Sequence, residues 1–317
     1  FLYFIGMRRG MNSTAASTTL TMITKTASCS SMESTRRASS SIPELLDAIR
    51  PLHGGHNVYH SRDACVAALR KMEAHGFSWW TSECSAFVDQ VEGAENVSKN
   101  LSSGRAPLLV VEGLDGVGKT TVVNALVQRL DGKLVRTPDP SLEPLRALFR
   151  GLDEPLARAF YCGCNYLSAP LMVDLCSMEQ TPVVVDRWWC STCAMSLAET
   201  AKGPEGLPPH QSSVYAWPSD LPCFDVGALL FVDENVRRLR MNKRADENVE
   251  EARLAAHEPL RRAAMQAYTR MGTLSLVEVP NYAQCVNDIL CIVKARGFSV
   301  PDGAFFTQDE IQAVKPY

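Results

Sequence analysis

Gly113-Leu114-Asp115-Gly116-Val117-Gly118-Lys119-Thr120 satisfies the pattern G-x-x-x-x-G-K-[ST], and its surroundings give the pattern physical meaning. Ahead of it lies Pro107-Leu108-Leu109-Val110-Val111, an apolar run bounded by Pro that reads as a buried strand. Behind it, Thr120 to Leu130 sets Val123, Leu126, Val127 and Leu130 at helical spacing. Gly113 and Gly118 permit backbone angles and close approaches that a Cβ would block. Successive N–H groups can then turn inward onto anionic oxygens at the positive end of the helix. Lys119 adds a mobile charge, and the Thr120 hydroxyl suits Mg²⁺. The stretch from Gly113 through Thr121 is therefore the expected phosphate cradle.

Working outward, strands are expected at residues 107–112, 132–137, 182–187, 227–233 and 275–280, with helical patterns between most of them. Such alternation predicts a P-loop NTPase, an α/β fold whose five-stranded parallel sheet is flanked by helices. Two of the apolar runs end in acids, Asp186 and Asp233, which should edge a crevice at the carboxyl ends of the strands. Asp186 with Arg187 places a carboxylate able to hold Mg²⁺ beside a guanidinium able to bridge two phosphates. The run Arg237-Arg238-Leu239-Arg240-Met241-Asn242-Lys243-Arg244 is the densest basic segment. Helical spacing puts Arg237, Arg240 and Arg244 near one face, as in an arginine-rich lid over a transferring phosphoryl group; a solvated face paired with Glu247, Glu250 and Glu251 is the alternative.

At 317 residues the chain can hold one large domain and something smaller. Boundaries are expected at 1–41 (a Ser/Thr-rich segment), 42–105 (a small helical extension and linker), 106–297 (the main domain) and 298–317 (a tail). Across residues 1–43, Arg8, Arg9, Lys25, Arg36 and Arg37 face a single acid, Glu33. That mixture suits an organelle transit segment or a plain polar tail. The chain opens on Phe1 rather than Met, so a piece of a longer protein is expected. A net charge of −3 argues against a general nucleic-acid binder, and no apolar run is long enough for membrane insertion. Eleven scattered cysteines do not form a disulfide framework. Cys190-x-x-Cys193 reads as packed thiols on a helix face, and His53, His56 and His60 as loop residues beside Pro51 and Gly54-Gly55 rather than a metal site.

Glu112-Gly-Leu-Asp-Gly-Val-Gly-Lys-Thr-Thr121, Asp186-Arg-Trp188, Ala159-Phe-Tyr-Cys-Gly-Cys-Asn-Tyr166 and the basic segment together resemble the thymidylate-kinase-like nucleoside monophosphate kinases. Within them, Asp153-Glu-Pro, Arg158-Ala-Phe-Tyr161, Leu207-Pro-Pro-His210 and Val214-Tyr-Ala-Trp-Pro218 are similar to the UMP-CMP kinase branch of mitochondria. The resemblance spans roughly residues 107–295 and implies ATP- and Mg²⁺-dependent phosphorylation of a pyrimidine nucleoside monophosphate, with a mitochondrial address and the cytoplasm as alternative. It implies that Lys119 and Thr120 bind ATP phosphates and Mg²⁺, that Asp115 approaches the acceptor sugar and that Arg187 clamps donor to acceptor. Arg146 falls in the acceptor-phosphate region, Tyr161 where an aromatic ring stacks on the base, and Asn165 where the base edge is read. Gly116 stands where some relatives carry Arg, which shifts the missing charge to Arg240 and Arg244. A homodimer fits the family. Two rivals remain: a deoxynucleoside kinase with Glu112 as base, and a non-catalytic nucleotide-binding protein. A phosphate acceptor is already mostly ionised near neutral pH, so the first reading needs no base and leaves Glu112 a structural or Mg²⁺-water role.

Overall fold

The computed structural model describes residues 41–97, 101–242 and 257–314. Five strands, β1 (Leu108–Gly113), β2 (Lys133–Arg136), β3 (Val183–Asp186), β4 (Val226–Phe231) and β5 (Ser275–Glu278), form one sheet in the order β2-β3-β1-β4-β5. Every pairing is parallel. The central strand β1 is buried along its whole length, its residues facing β3 on one side and β4 on the other. Covering both faces of a parallel sheet with helices is what makes its strands read as unbroken apolar runs. Each fully buried Leu or Val there contributes roughly 1.5–3 kcal/mol.

The α-helices among the described residues are α1 (Ile42–His53), α2 (Arg62–His75), α3 (Ser82–Glu92), α4 (Lys119–Leu130), α5 (Glu143–Phe149), α6 (Glu154–Ser177), α7 (Trp189–Ala201), α8 (Glu234–Asn242), α9 (Glu258–Met271), α10 (Tyr282–Ala295) and α11 (Gln308–Ala313). Local signals explain several boundaries. Ser41 and Glu44 form a capping box on α1, and the Ser61 side chain caps α2 by accepting the Ala64 N–H. The expected loop at Pro51 is instead the last turn of α1, which runs on to a buried His53 and stops at left-handed Gly54. Strand β4 ends two residues before Asp233, whose side chain accepts the Asn235 N–H at the start of α8. Asp233 therefore serves a helix and not the crevice, a correction to the sequence reading. Cys190 and Cys193 lie fully buried on α7, where burial raises both thiol pKa values. No helix among the described residues is long and apolar enough to cross a membrane.

Helices α1–α3 brace α6. A Cβ on Gly163 would sit 2.9 Å from the Phe87 ring, so glycine is what lets α3 approach this closely. Tyr59 donates its hydroxyl to the Pro155 carbonyl at 2.9 Å, and the Cys65 thiol donates to the Ala159 carbonyl at 3.1 Å. After α10 the chain turns back: Asn287 pairs with both backbone groups of Phe306, and Arg129 of α4 stacks 3.7 Å over the Phe306 ring while bonding Glu310. Both α4 and α6 contribute residues to the crevice at the ends of β1 and β3.

Candidate active site

The carboxyl ends of β1 and β3 open into a cavity of about 260 Å³. Its wall includes Asp115, Gly116, Gly118, Lys119 and Thr120 from the glycine-rich loop and the start of α4, and Asp186 with Arg187 from the end of β3. Arg146 from α5 and Arg158, Tyr161 and Asn165 from α6 face them. Most residues singled out from the sequence thus converge on one space. Gly113, Leu114, Val117 and Thr121 belong to the loop or to α4 but lie outside the cavity wall, and Thr121 is solvent-exposed.

The loop adopts its shape because glycine supplies what other residues cannot. Gly113 has φ of +140°, and a Cβ there would fall 2.6 Å from the Leu230 carbonyl oxygen of β4. Gly118, at φ of +102°, is the N-cap of α4. Lys119 is 7% exposed and folds back over the loop, donating to the Gly113 and Leu114 carbonyls at 2.9 and 2.8 Å. Desolvation, helped by the Arg187 charge and opposed by Asp115, lowers its pKa below the ordinary lysine value.

Arg187 links the end of β3 to the glycine-rich loop. Its Nη2 bonds Asp115 Oδ1, which Lys119 Nζ also reaches at 3.4 Å, and its Nη1 donates to Ser191 Oγ at 3.4 Å. Desolvation works against its charge, yet Asp115 and Asp186 outweigh that and hold it protonated. Asp115 therefore organises two cations in this structure. Elsewhere in the wall, Arg146 Nε donates to the Tyr161 hydroxyl at 3.4 Å and pairs with Glu143. Arg158, 4% exposed, lies with its guanidinium carbon 5.3 Å from the centre of the Tyr161 ring and bonds Glu154 at 2.7 Å. Asn165, also buried, donates its amide to the Thr192 hydroxyl at 3.1 Å. Lys119, Arg146, Arg158 and Arg187 outnumber the carboxylates of Asp115 and Asp186 in the wall, so it favours an anionic occupant.

The residues fit Mg²⁺. Asp186 Oδ1 is buried without a hydrogen-bond partner, an arrangement that costs free energy unless something binds it. The exposed Thr120 shares the cavity wall with it.

Glu112 stays out of the cavity. Fully buried, its carboxylate accepts from the Trp188 and Ser191 backbone N–H groups at 2.8 and 3.2 Å, from Ser191 Oγ, and from the Tyr268 hydroxyl at 3.4 Å. It thereby anchors the positive end of α7. Burial raises its pKa against the pull of those hydrogen bonds. A carboxylate so committed is poorly placed to take a proton from a substrate.

The basic segment divides. Arg237, 3% exposed, bonds Glu234 and donates to the Asp115 carbonyl at 3.0 Å, while Glu234 also receives Arg261. Arg240 donates to the Val117 carbonyl at 2.8 Å, and Met241 packs where a Gly116 side chain would be. Arg237 is accordingly a rivet between α8 and the glycine-rich loop, unlike the lid arginine expected from spacing. Arg240 reaches the loop but not the cavity wall. Arg244, Lys243 and the proposed acidic partners Glu247, Glu250 and Glu251 lie outside the described residues. Sequence reasoning missed Arg158 as a wall residue, although its place three positions before Tyr161 on a helix puts both on one face. It also missed Thr137, Ser191 and Thr192, for which no local pattern exists.

Comparison with known proteins places these features in context. The thymidylate kinase family model matches residues 111–289. Mitochondrial UMP-CMP kinase 2 from Homo sapiens is 31% identical over 230 residues, which make up 69% of this chain and 50% of that protein. The chain thus spans about half the length of the curated relative it matches. Among solved structures, thymidylate kinase from Candida albicans superposes with a TM-score of 0.50 at 21% identity, covering 61% of this chain and 93% of that one. At that identity the likeness concerns the fold.

Proposed function

The chain belongs to the thymidylate kinase family, and from that premise we propose that it transfers the γ-phosphoryl group of ATP to a pyrimidine nucleoside monophosphate, yielding the diphosphate and ADP. The observation that carries this reading is the cationic wall of a single cavity, to which the glycine-rich loop and α4 contribute Lys119, α5 and α6 contribute Arg146 and Arg158, and the end of β3 contributes Arg187. A reaction joining two phosphates needs such an arrangement, because their mutual repulsion must be cancelled before the oxygens can approach.

In this mechanism the loop amides and Lys119 hold the donor phosphates. Arg146 binds the acceptor phosphate, Tyr161 stacks on the base and Asn165 meets its edge. Arg187 leaves Asp115 and spans the oxygens between donor and acceptor, where charge is spread in the transition state. Thr120 and Asp186 would hold Mg²⁺, which neutralises charge on the donor phosphates when bound. Arg240, held on the Val117 carbonyl, adds positive charge behind the loop; Arg244, expected to add more, lies outside the described residues. No general base is needed, since the acceptor oxygen is already ionised. Consistent with that, the carboxylates of the wall are Asp115, tied to two cations, and Asp186, suited to metal. The burial of Glu112 weighs against the rival in which it deprotonates a nucleoside hydroxyl.

A pyrimidine acceptor is supported by the presence of the Tyr161 ring and the Asn165 amide, which can serve either pyrimidine edge, in the cavity wall and by the name of the human relative. The acid-poor N-terminus and that same name support a mitochondrial address. The test is ADP release with ATP, Mg²⁺ and, in turn, UMP, CMP, dUMP, dCMP, dTMP and deoxycytidine, with products identified by mass. Diphosphates from at least one pyrimidine monophosphate are expected. Turnover of deoxycytidine alone, or ATP hydrolysis without transfer, would reject the reading.

A further inference from the structure

Among the described residues of the cavity wall, Arg187 is the non-glycine residue with a left-handed backbone, at φ of +70°. That conformation is unfavourable for an L-residue with a Cβ, so the surroundings must impose it. Three hydrogen bonds do so. The Arg187 N–H donates to the Val111 carbonyl at 3.2 Å, the Trp188 N–H donates to Glu112 Oε1 at 2.8 Å, and the Thr137 hydroxyl donates to the Arg187 carbonyl at 2.5 Å. The peptide unit between Arg187 and Trp188 is thus gripped at both ends by side chains, one just beyond β2 and one from β1. The Thr137 N–H also bonds the Asp186 carbonyl at 3.3 Å, which fixes Thr137 against the end of β3.

We infer that Thr137 is a positioning residue for phosphoryl transfer: its hydroxyl locks the left-handed turn at Arg187 and so aims the guanidinium between the two phosphate subsites. This rests on the function proposed above. A freed carbonyl would let the turn relax toward ordinary backbone angles, swinging the guanidinium away from Asp115 and the loop. Thr137 is only 8% exposed, so water cannot readily replace the lost donor.

The experiment compares Thr137→Val, Thr137→Ala and Thr137→Ser with the parent chain. Removing the hydroxyl should lower kcat about ten- to a hundredfold, the scale of a roughly 1 Å misplacement, with KM for ATP nearly unchanged. Serine should restore most of the loss. In an Arg187→Ala background the same substitution should cost almost nothing further, because its effect passes through Arg187. Independent losses that multiply, or full activity in both Thr137→Val and Thr137→Ala, would overturn the inference. The Arg187 Nε–H resonance supplies a readout that needs no turnover: it should move in Thr137→Val and return in Thr137→Ser, and an unmoved resonance also refutes the idea. A parent enzyme that phosphorylates no monophosphate would sink the proposed function, whereas an active parent matched by its valine variant sinks this inference alone.

Discussion

Replacing Arg187 by Ala removes the one guanidinium that reaches the phosphate loop's Asp115 from the β3 side of the cavity. Its magnitude can be worked from the surroundings. Loss of one preorganised donor to transition-state oxygens typically costs about 2.7–4 kcal/mol, or 10²–10³ in kcat. The Arg187 side chain is 29% exposed, so solvent screens part of its charge and the lower end of that range applies. We expect about 3 kcal/mol, a fall in kcat of about 10². ATP affinity should change little, because Lys119 and the loop backbone are untouched and Lys119 keeps its 3.4 Å contact with Asp115. Steady-state ADP release at saturating substrates gives kcat, and equilibrium titration with a fluorescent ATP analogue gives Kd. A kcat within about threefold of the parent would remove Arg187 from the transition state. A weakened ATP Kd with kcat intact would make it a ground-state binding residue instead.

Three further outcomes follow from the same geometry. Glu112→Gln puts an amide donor among four donors, so about 2–3 kcal/mol of stability should be lost, read as a melting temperature lower by roughly 4–6 °C; an unchanged melt would mean that the carboxylate does not anchor α7. Because Lys119 has a lowered pKa in the folded protein, the unfolded chain binds more protons between that value and about 10.4, and stability gains with rising pH across this window. Phosphate binding should restore the proton, so calorimetry at alkaline pH in buffers of different ionisation enthalpy should show proton uptake on ATP binding, absent in Lys119→Met; equal uptake in both would assign the proton elsewhere. Gly113→Ala drives a Cβ into the Leu230 carbonyl at 2.6 Å, where neither strand can yield, and should cost over 2 kcal/mol as well as ATP affinity. Gly272→Ala meets open space at a helix end and should cost only about 1 kcal/mol, so equal losses at the two sites would contradict the steric account.

Each expected strand is present within two residues of its limits; for β1, β3 and β4 burial on both faces writes a continuous signal into the chain, whereas the edge strands β2 and β5 are partly exposed and rest on a weaker one. The end of β4 is the instructive miss: Val232 and Asp233 continue the apolar-then-acid pattern, but capping of α8 claims them first. Spacing also placed Arg237, Arg240 and Arg244 on one helix face, yet could not say that Glu234 and the Asp115 carbonyl would bury Arg237 as a structural tie. Tyr161 and Asn165 were found through family resemblance, since a lone aromatic and a lone amide on a long helix carry no pattern of their own.

The order of residues by itself determined the glycine-rich loop ahead of α4, the parallel α/β sheet and the placing of Asp186 and Arg187 at its edge. These depend on backbone permissiveness and hydrophobic periodicity, which act over a few neighbouring positions. Tertiary structure alone decided what each polar side chain does: that Thr137 grips a carbonyl fifty positions away, that Glu112 caps α7 and leaves the cavity, and that Arg158 joins its wall. Hydrogen bonds form between groups that folding brings within about 3 Å and shields from water, and sequence separation leaves no trace of which pairs those will be.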